Sequence, residues 1–228
     1  MLIIGHRGAA GVRPENTLAG IEHAIECGVD WVEIDVREHR EDLIVIHDDS
    51  YDRTTNGAGK IHDLTPLQRA ALDAGDGERI PTLAEVVTLT TGRCGLNVEL
   101  KDPGIVERVV ALLDQHRALL KPAPCLSSFE QENLREIAKI GPDYPVGILG
   151  KDVAIIDNLI GELDAYSVNY SKTQVTSLRV EQAHQRGLRV FVYTVNDEQA
   201  YRRCEHLGVD GIFTDYPQAA INFFSRSG

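Results

Sequence analysis

The sequence predicts an α/β domain of the (β/α)₈ TIM barrel class, and three observations predict it. Short apolar runs alternate with segments of helical period from end to end, and eight such pairs can be counted. The 228 residues match the roughly 200–250 that a barrel of this kind needs as one unit. A composition of 43% hydrophobic and 25% charged residues is that of an ordinary globular chain with a sizeable core. A doubly wound open sheet is the alternative built from the same units. No repeat, low-complexity tract or linker divides the chain, so residues 1–228 are read as one domain.

The first strand is Leu2-Ile3-Ile4, and it runs straight into Gly5-His6-Arg7-Gly8. After Pro14-Glu15-Asn16-Thr17, the residues Leu18, Ile21, Ala24 and Ile25 recur at helical spacing, with a glycine stop at Gly28. Trp31 to Val36 alternates, which places Glu33 and Asp35 on one face and Val32, Ile34 and Val36 on the other. Leu43-Ile44-Val45-Ile46 is again strand-like and delivers His47.

From Ser50 to about Pro81 the period is lost and Gly57, Gly59, Gly75 and Gly77 appear. This stretch reads as an excursion with one short helix near 66–72. A helix at 83–91 and a strand at 95–101 follow, the latter with Asn97, Glu99 and Lys101 on one face. Further helices are predicted over 104–117, 130–140, 152–160, 176–186 and 197–206, and from 217 onward. Strands separate them at 124–127, 144–149, 164–169, 188–194 and 210–213. Merging Leu43–Ile46 with the excursion leaves eight strands, each followed by a helix.

Lys and Arg number 23 against 35 Asp and Glu, a net charge of −12. Such a surface repels nucleic acid and anionic membrane, so no nucleic-acid partner is expected, and an anionic substrate requires positive charge placed in the site itself. Cys27, Cys94, Cys125 and Cys204 are scattered and read as buried thiols of a reducing compartment. No apolar run approaches the roughly 20 residues of a transmembrane segment, and only Met1 to Gly5 precede His6. A cytoplasmic location is therefore expected. Oligomeric state is not legible.

In a barrel the chemistry sits at the C-terminal ends of the strands, where the unusual polar residues of this chain fall. Glu33, Asp35 and Glu99 on inward faces would repel one another, and a hard divalent cation resolves that. Mg²⁺ or Ca²⁺ suits an all-carboxylate set, with Mn²⁺ also compatible. The competing reading is that these carboxylates pair with Lys101 or Arg7. His6 and His47 each end a strand-like run, and two imidazoles can serve as acid and base. Arg7 and Lys101 supply positive charge, either for a phosphate or to neutralise the carboxylates. Together these residues form a constellation suited to cleaving a phosphodiester. His23, His39, His62, His116, His184 and His206 lie elsewhere.

Gly5-His6-Arg7-Gly8, Pro14-Glu15-Asn16-Thr17, Glu33-Ile34-Asp35-Val36, His47-Asp48, Arg53-Thr54-Thr55, Ile80-Pro81-Thr82-Leu83, Asn97-Val98-Glu99-Leu100-Lys101, Ser128-Phe129, Thr194-Val195-Asn196 and Gly208 to Pro217 occur in one order. In them the chain resembles the glycerophosphodiester phosphodiesterases. The resemblance implies a TIM barrel with a small insertion after the second strand, which would be the excursion at 47–81.

It also implies cation-dependent hydrolysis of small-molecule glycerophosphodiesters, such as glycerophosphocholine or glycerophosphoethanolamine, to glycerol 3-phosphate and an alcohol. Glu33, Asp35 and Glu99 match the metal ligands, His6 and His47 the acid–base pair, and Arg7 and Lys101 the phosphate contacts. Glu15 and Asn16 match a supporting motif. Where many members carry Trp before Thr-Val-Asn, this chain has Tyr193, an aromatic lining for the glycerol pocket. From its insertion-side position His47 is expected to be the acid and His6 the base, while the attacker is either water or the substrate's own hydroxyl. The rivals are a non-catalytic binding protein for the same ligands and a barrel isomerase or aldolase.

Overall fold

The computed structural model describes residues 1–225. Eight parallel strands close into a barrel. They are β1 (Leu2–Gly5), β2 (Trp31–His39), β4 (Gly95–Leu100), β5 (Cys125–Ser128), β6 (Val146–Ile148), β7 (Ser167–Ser171), β8 (Arg189–Tyr193) and β9 (Gly211–Thr214). Pairing of β1 with both β2 and β9 completes the ring. Helices α1 (Leu18–Cys27), α3 (Leu83–Thr90), α4 (Val106–His116), α5 (Gln131–Ile140), α6 (Val153–Glu162), α7 (Ser177–Gln185), α8 (Glu198–Leu207) and α9 (Pro217–Phe224) form the outer layer.

The ninth strand, β3 (Asp42–Val45), is the difference from the sequence reading. It stands outside the ring of eight and its Ile44 packs with the excursion, but it also turns back from β2 and pairs with it antiparallel, His39 opposite Asp42 and Val36 opposite Val45. The return delivers His47 to the barrel's C-terminal rim beside the end of β1. After it come a 3₁₀ turn at Ile61–Asp63 and the short helix α2 (Pro66–Ala71). A small apolar cluster of Ile44, Ile46, Ile61, Ala74 and Ile80 holds this segment together, separate from the main core.

The period-two pattern sorts the barrel into two compartments. Val32, Ile34 and Val36 of β2, with Leu96, Val98 and Leu100 of β4, face outward into the helix layer. Inside, Ile4, Trp31, Cys125, Phe191 and Phe213 plug the lower barrel, with Tyr166 stacked on Trp31 at 6.2 Å. Above the plug, inward positions become polar. Thr17 caps α1 by accepting from Gly20 N, and Gly28 ends it in the left-handed region.

The cysteines are free among the described residues. Cys125 and Cys204 are buried as expected, while Cys27 and Cys94 are only partly covered. Among the described residues no helix is long and apolar enough to cross a membrane.

Candidate active site

His6 continues β1, its backbone N–H donating to Thr214 O at 2.9 Å. The chain then turns sharply through Arg7 at φ 51° and Gly8 at φ 83°. Only glycine serves at position 8, since a Cβ there would stand 2.6 Å from the Gly20 backbone of α1. The turn points the Arg7 backbone N–H at Glu33 Oε2, 2.8 Å away. Asn16, also left-handed at φ 57°, donates its amide to Asp35 Oδ2 at 2.9 Å and accepts from Asp35 N at 3.2 Å.

Asp35 and Glu99 are register partners on β2 and β4, with Glu33 one inward position below Asp35. One oxygen from each of the three lies within 4.8 Å of the others. The competing reading, neutralisation by basic side chains, is partly realised. Arg7 Nε is 3.2 Å and Lys101 Nζ 3.4 Å from Asp35, and Lys101 also donates to Glu99.

Two cations do not satisfy three carboxylates. Glu33 Oε1 is buried with no hydrogen-bond partner. Burial, and then the charge of Asp35, pushes the Glu33 carboxyl up to about 8, and the same two causes raise Glu99. Burial works against Asp35 too, but Arg7 and Lys101 hold it below the usual carboxylate range. An orphaned buried oxygen within an all-oxygen donor set fits a hard divalent cation.

The two imidazoles are built alike. His6 Nδ1–H donates to Asp215 Oδ1 and His47 Nδ1–H to Asp48 Oδ1, both at 2.6 Å, which leaves each Nε2 for the cavity. Asp215 is held in turn by Asn196, whose Nδ2 donates to its Oδ2 and whose Oδ1 accepts from its backbone N–H. Burial opposes charge on both rings. At His6 the Asp215 bond and the charge of Glu33 outweigh it and the pKa is raised. At His47 burial, helped by Lys101 and Arg7, prevails and the pKa is lowered.

A second chain of ions braces the rim. Glu15 accepts from Arg7 Nη1 at 2.8 Å and, bidentately, from Arg53 at 2.6 and 2.8 Å, while Arg53 Nε donates to Asp48 at 2.6 Å. Arg53 thereby ties the segment after β3 to the loop after β1.

A cavity of about 200 Å³ opens at this rim. His6, His47, Arg7, Lys101, Glu33, Glu99 and Tyr193 line it. Asp35, Glu15 and Asn16 do not, and instead hold the lining residues from behind. Tyr193 is half-buried, packed edge-on to Phe129 at 6.1 Å, and burial pushes its hydroxyl up to about 12.

Asp48, Arg53, Asp215, Asn196 and the cavity residues Asn97, Ser127, Phe129 and Asn169 were not singled out by role from the sequence. For Asp215 a signal existed, a carboxylate just past the end of the last strand of a barrel.

The model of the Glycerophosphoryl diester phosphodiesterase family matches residues 6–219. A glycerophosphodiester phosphodiesterase of Caldanaerobacter subterraneus subsp. tengcongensis is 34% identical over 100% of this chain and 99% of its own. A Bacillus subtilis enzyme of the same name is 32% identical, covering 95% of this chain and 84% of its own. Among solved structures, an Oleispira antarctica phosphodiesterase in complex with the product sn-glycerol-3-phosphate superposes at a TM-score of 0.89. It has 30% identity and covers 99% of this chain and 97% of its own. The matched span runs from the first histidine of the site past its last carboxylate, Asp215, and so includes every residue of the site: the chain belongs to the glycerophosphoryl diester phosphodiesterase family.

Proposed function

We propose that this chain, a glycerophosphodiester phosphodiesterase by family, works through His6 and His47 beside a divalent cation held by Glu33, Asp35 and Glu99. The observation that carries this reading is the pair of carboxylate-anchored imidazoles lining one cavity together with Glu33, one oxygen of which is buried without a partner. When bound, the cation would supply charge for the phosphoryl oxygens and lower the pKa of an attacking hydroxyl. Mg²⁺, Ca²⁺ and Mn²⁺ all suit the donor set.

The protein's own part follows from the side chains. Arg7 and Lys101 face the cavity with their positive charge sustained by Asp35 and Glu99, and attract the phosphodiester anion that the acidic surface would repel. His6 takes a proton from the attacking hydroxyl as its oxygen bonds to phosphorus. The bond from phosphorus to the head-group oxygen breaks, and His47 gives that oxygen a proton. When water attacks, the products are glycerol 3-phosphate and the head-group alcohol; attack by the substrate's own glycerol hydroxyl releases the alcohol and leaves a cyclic phosphate, which a water then opens to glycerol 3-phosphate.

His47 is assigned to the leaving group because it comes from the insertion side of the cavity. His6 is raised, in part by the charge of Glu33, which a bound cation would offset, and His47 is lowered, chiefly by burial. Free thiols support the cytoplasm as the location.

Coupled detection of glycerol 3-phosphate from glycerophosphocholine, then from a panel of other head groups, tests the reading. Release with cation present is expected, and the panel identifies the preferred alcohol. No release from any member would overturn it and favour a binding protein.

A further inference from the structure

Below the rim the cavity ends on a buried polar layer. Asn97, Ser127 and Asn169 line it and are 3%, 0% and 1% exposed. Asn97 Nδ2 donates to Ser127 Oγ at 3.0 Å, and Ser167 Oγ donates to Asn169 Oδ1 at 3.1 Å. Asn169 Nδ2 is buried and has no partner. Exchanging the oxygen and nitrogen of this amide does not remove the defect, because Ser167 can satisfy only one end and the other stays orphaned.

Strand β6 leaves the space beside that end free of a side chain. It presents Gly147 there, where a Cβ would stand 3.1 Å from Asn169 Nδ2 and 3.3 Å from Ser127 Cβ. A buried polar group without a bond is destabilising, and native proteins retain few of them. Asn169 lines a cavity of about 200 Å³, smaller than the roughly 300–1,000 Å³ of pockets that take drug-sized ligands.

We propose that Asn169 is a substrate-binding residue whose free amide end hydrogen-bonds the terminal hydroxyl of the substrate's glycerol unit, so that it selects glycerol diesters over those of less hydroxylated alcohols. The proposal rests on the glycerophosphodiester reading above. The phosphate is held near the mouth, where Arg7 and Lys101 are 17% and 12% exposed. The glycerol carbons therefore point inward, and the hydroxyl farthest from phosphorus reaches the 1% exposed layer. A hydroxyl both donates and accepts, so it pairs with either end of the amide. A site built to bond a hydroxyl rejects an analogue that lacks it, since the analogue leaves the site's polar group unpaired.

The test compares kcat/KM for glycerophosphocholine and for the diester in which the terminal hydroxymethyl is a methyl, with cation present. The wild-type protein is expected to prefer glycerophosphocholine by about 10–100-fold. Asn169→Ala should reduce the preference to about threefold or less, through loss on glycerophosphocholine alone. Gly147→Ala, which sets a methyl beside the free amide end and leaves Asn169 in place, should erode the same preference. Equal wild-type efficiency on both diesters, or equal losses on both in Asn169→Ala, would overturn the role of Asn169 and leave the hydrolysis standing. A wild-type protein inactive on every glycerophosphodiester would overturn both.

Discussion

His6 and Asp215 are 209 positions apart in sequence and 2.6 Å apart in the barrel. Closure of the barrel by the β1–β9 pairing brings them together, and the bond fixes the ring so that Nε2 meets the cavity. Asp215→Asn is expected to lower kcat by about 10²-fold with KM changed by about threefold or less. Asp215 is the main influence offsetting burial at His6, so the His6 titration should also move to lower pH. A pH series of steady-state kinetics checks both, and an unchanged profile would remove Asp215 from the mechanism.

His47→Ala tests which imidazole serves the leaving group. A choline head group needs a proton as it departs, whereas an acidic phenol needs little. The variant should lose about 10²–10⁴-fold on glycerophosphocholine and less than about tenfold on an activated aryl diester. Equal losses would transfer the acid role to His6.

The Arg53 clamp gives a pH prediction. With burial opposing, Arg53 and His47 hold the Asp48 carboxyl down to about 2 against an ordinary 3.8, and Glu15 is lowered by Arg53 and Arg7. A depressed carboxylate adds stability above its unfolded pKa and loses it as pH falls through the folded value. Its contribution is therefore full above about pH 4 and gone near pH 2. Arg53→Met should unfold at lower urea at pH 6 and show a shallower decline between pH 4 and 2. Parallel stability curves for the two proteins would contradict the clamp.

Much of this site was legible locally. Side chains alternate along a strand whatever surrounds it, so Trp31 to Val36 and Gly95 to Lys101 identified Glu33, Asp35 and Glu99 as inward-facing. His6 and His47 were legible because each follows an apolar run. The strand at Leu43–Ile46 was legible too, but its antiparallel return onto β2 was not, because Arg40 takes a positive φ of 55° at a two-residue turn that has no glycine or asparagine to mark a hairpin. The Asp215 bond and the bridge from Arg53 to Glu15 depend on strand order and loop docking, which no local period encodes. Asn169 looked like an ordinary polar residue in a strand, and only the lack of a partner around it in the closed barrel distinguishes it.

The account turns on whether the carboxylate cluster holds a cation that the reaction needs. Its most direct test is glycerol 3-phosphate release from glycerophosphocholine by chelator-treated protein, titrated with Mg²⁺, Ca²⁺ or Mn²⁺, beside the same titration of Glu33→Gln. Activity should vanish in chelator, return with at least one ion in the wild-type protein, and stay down by at least about 10²-fold in a folded Glu33→Gln. Full activity in chelator, or a variant restored as readily as the wild type, would contradict it.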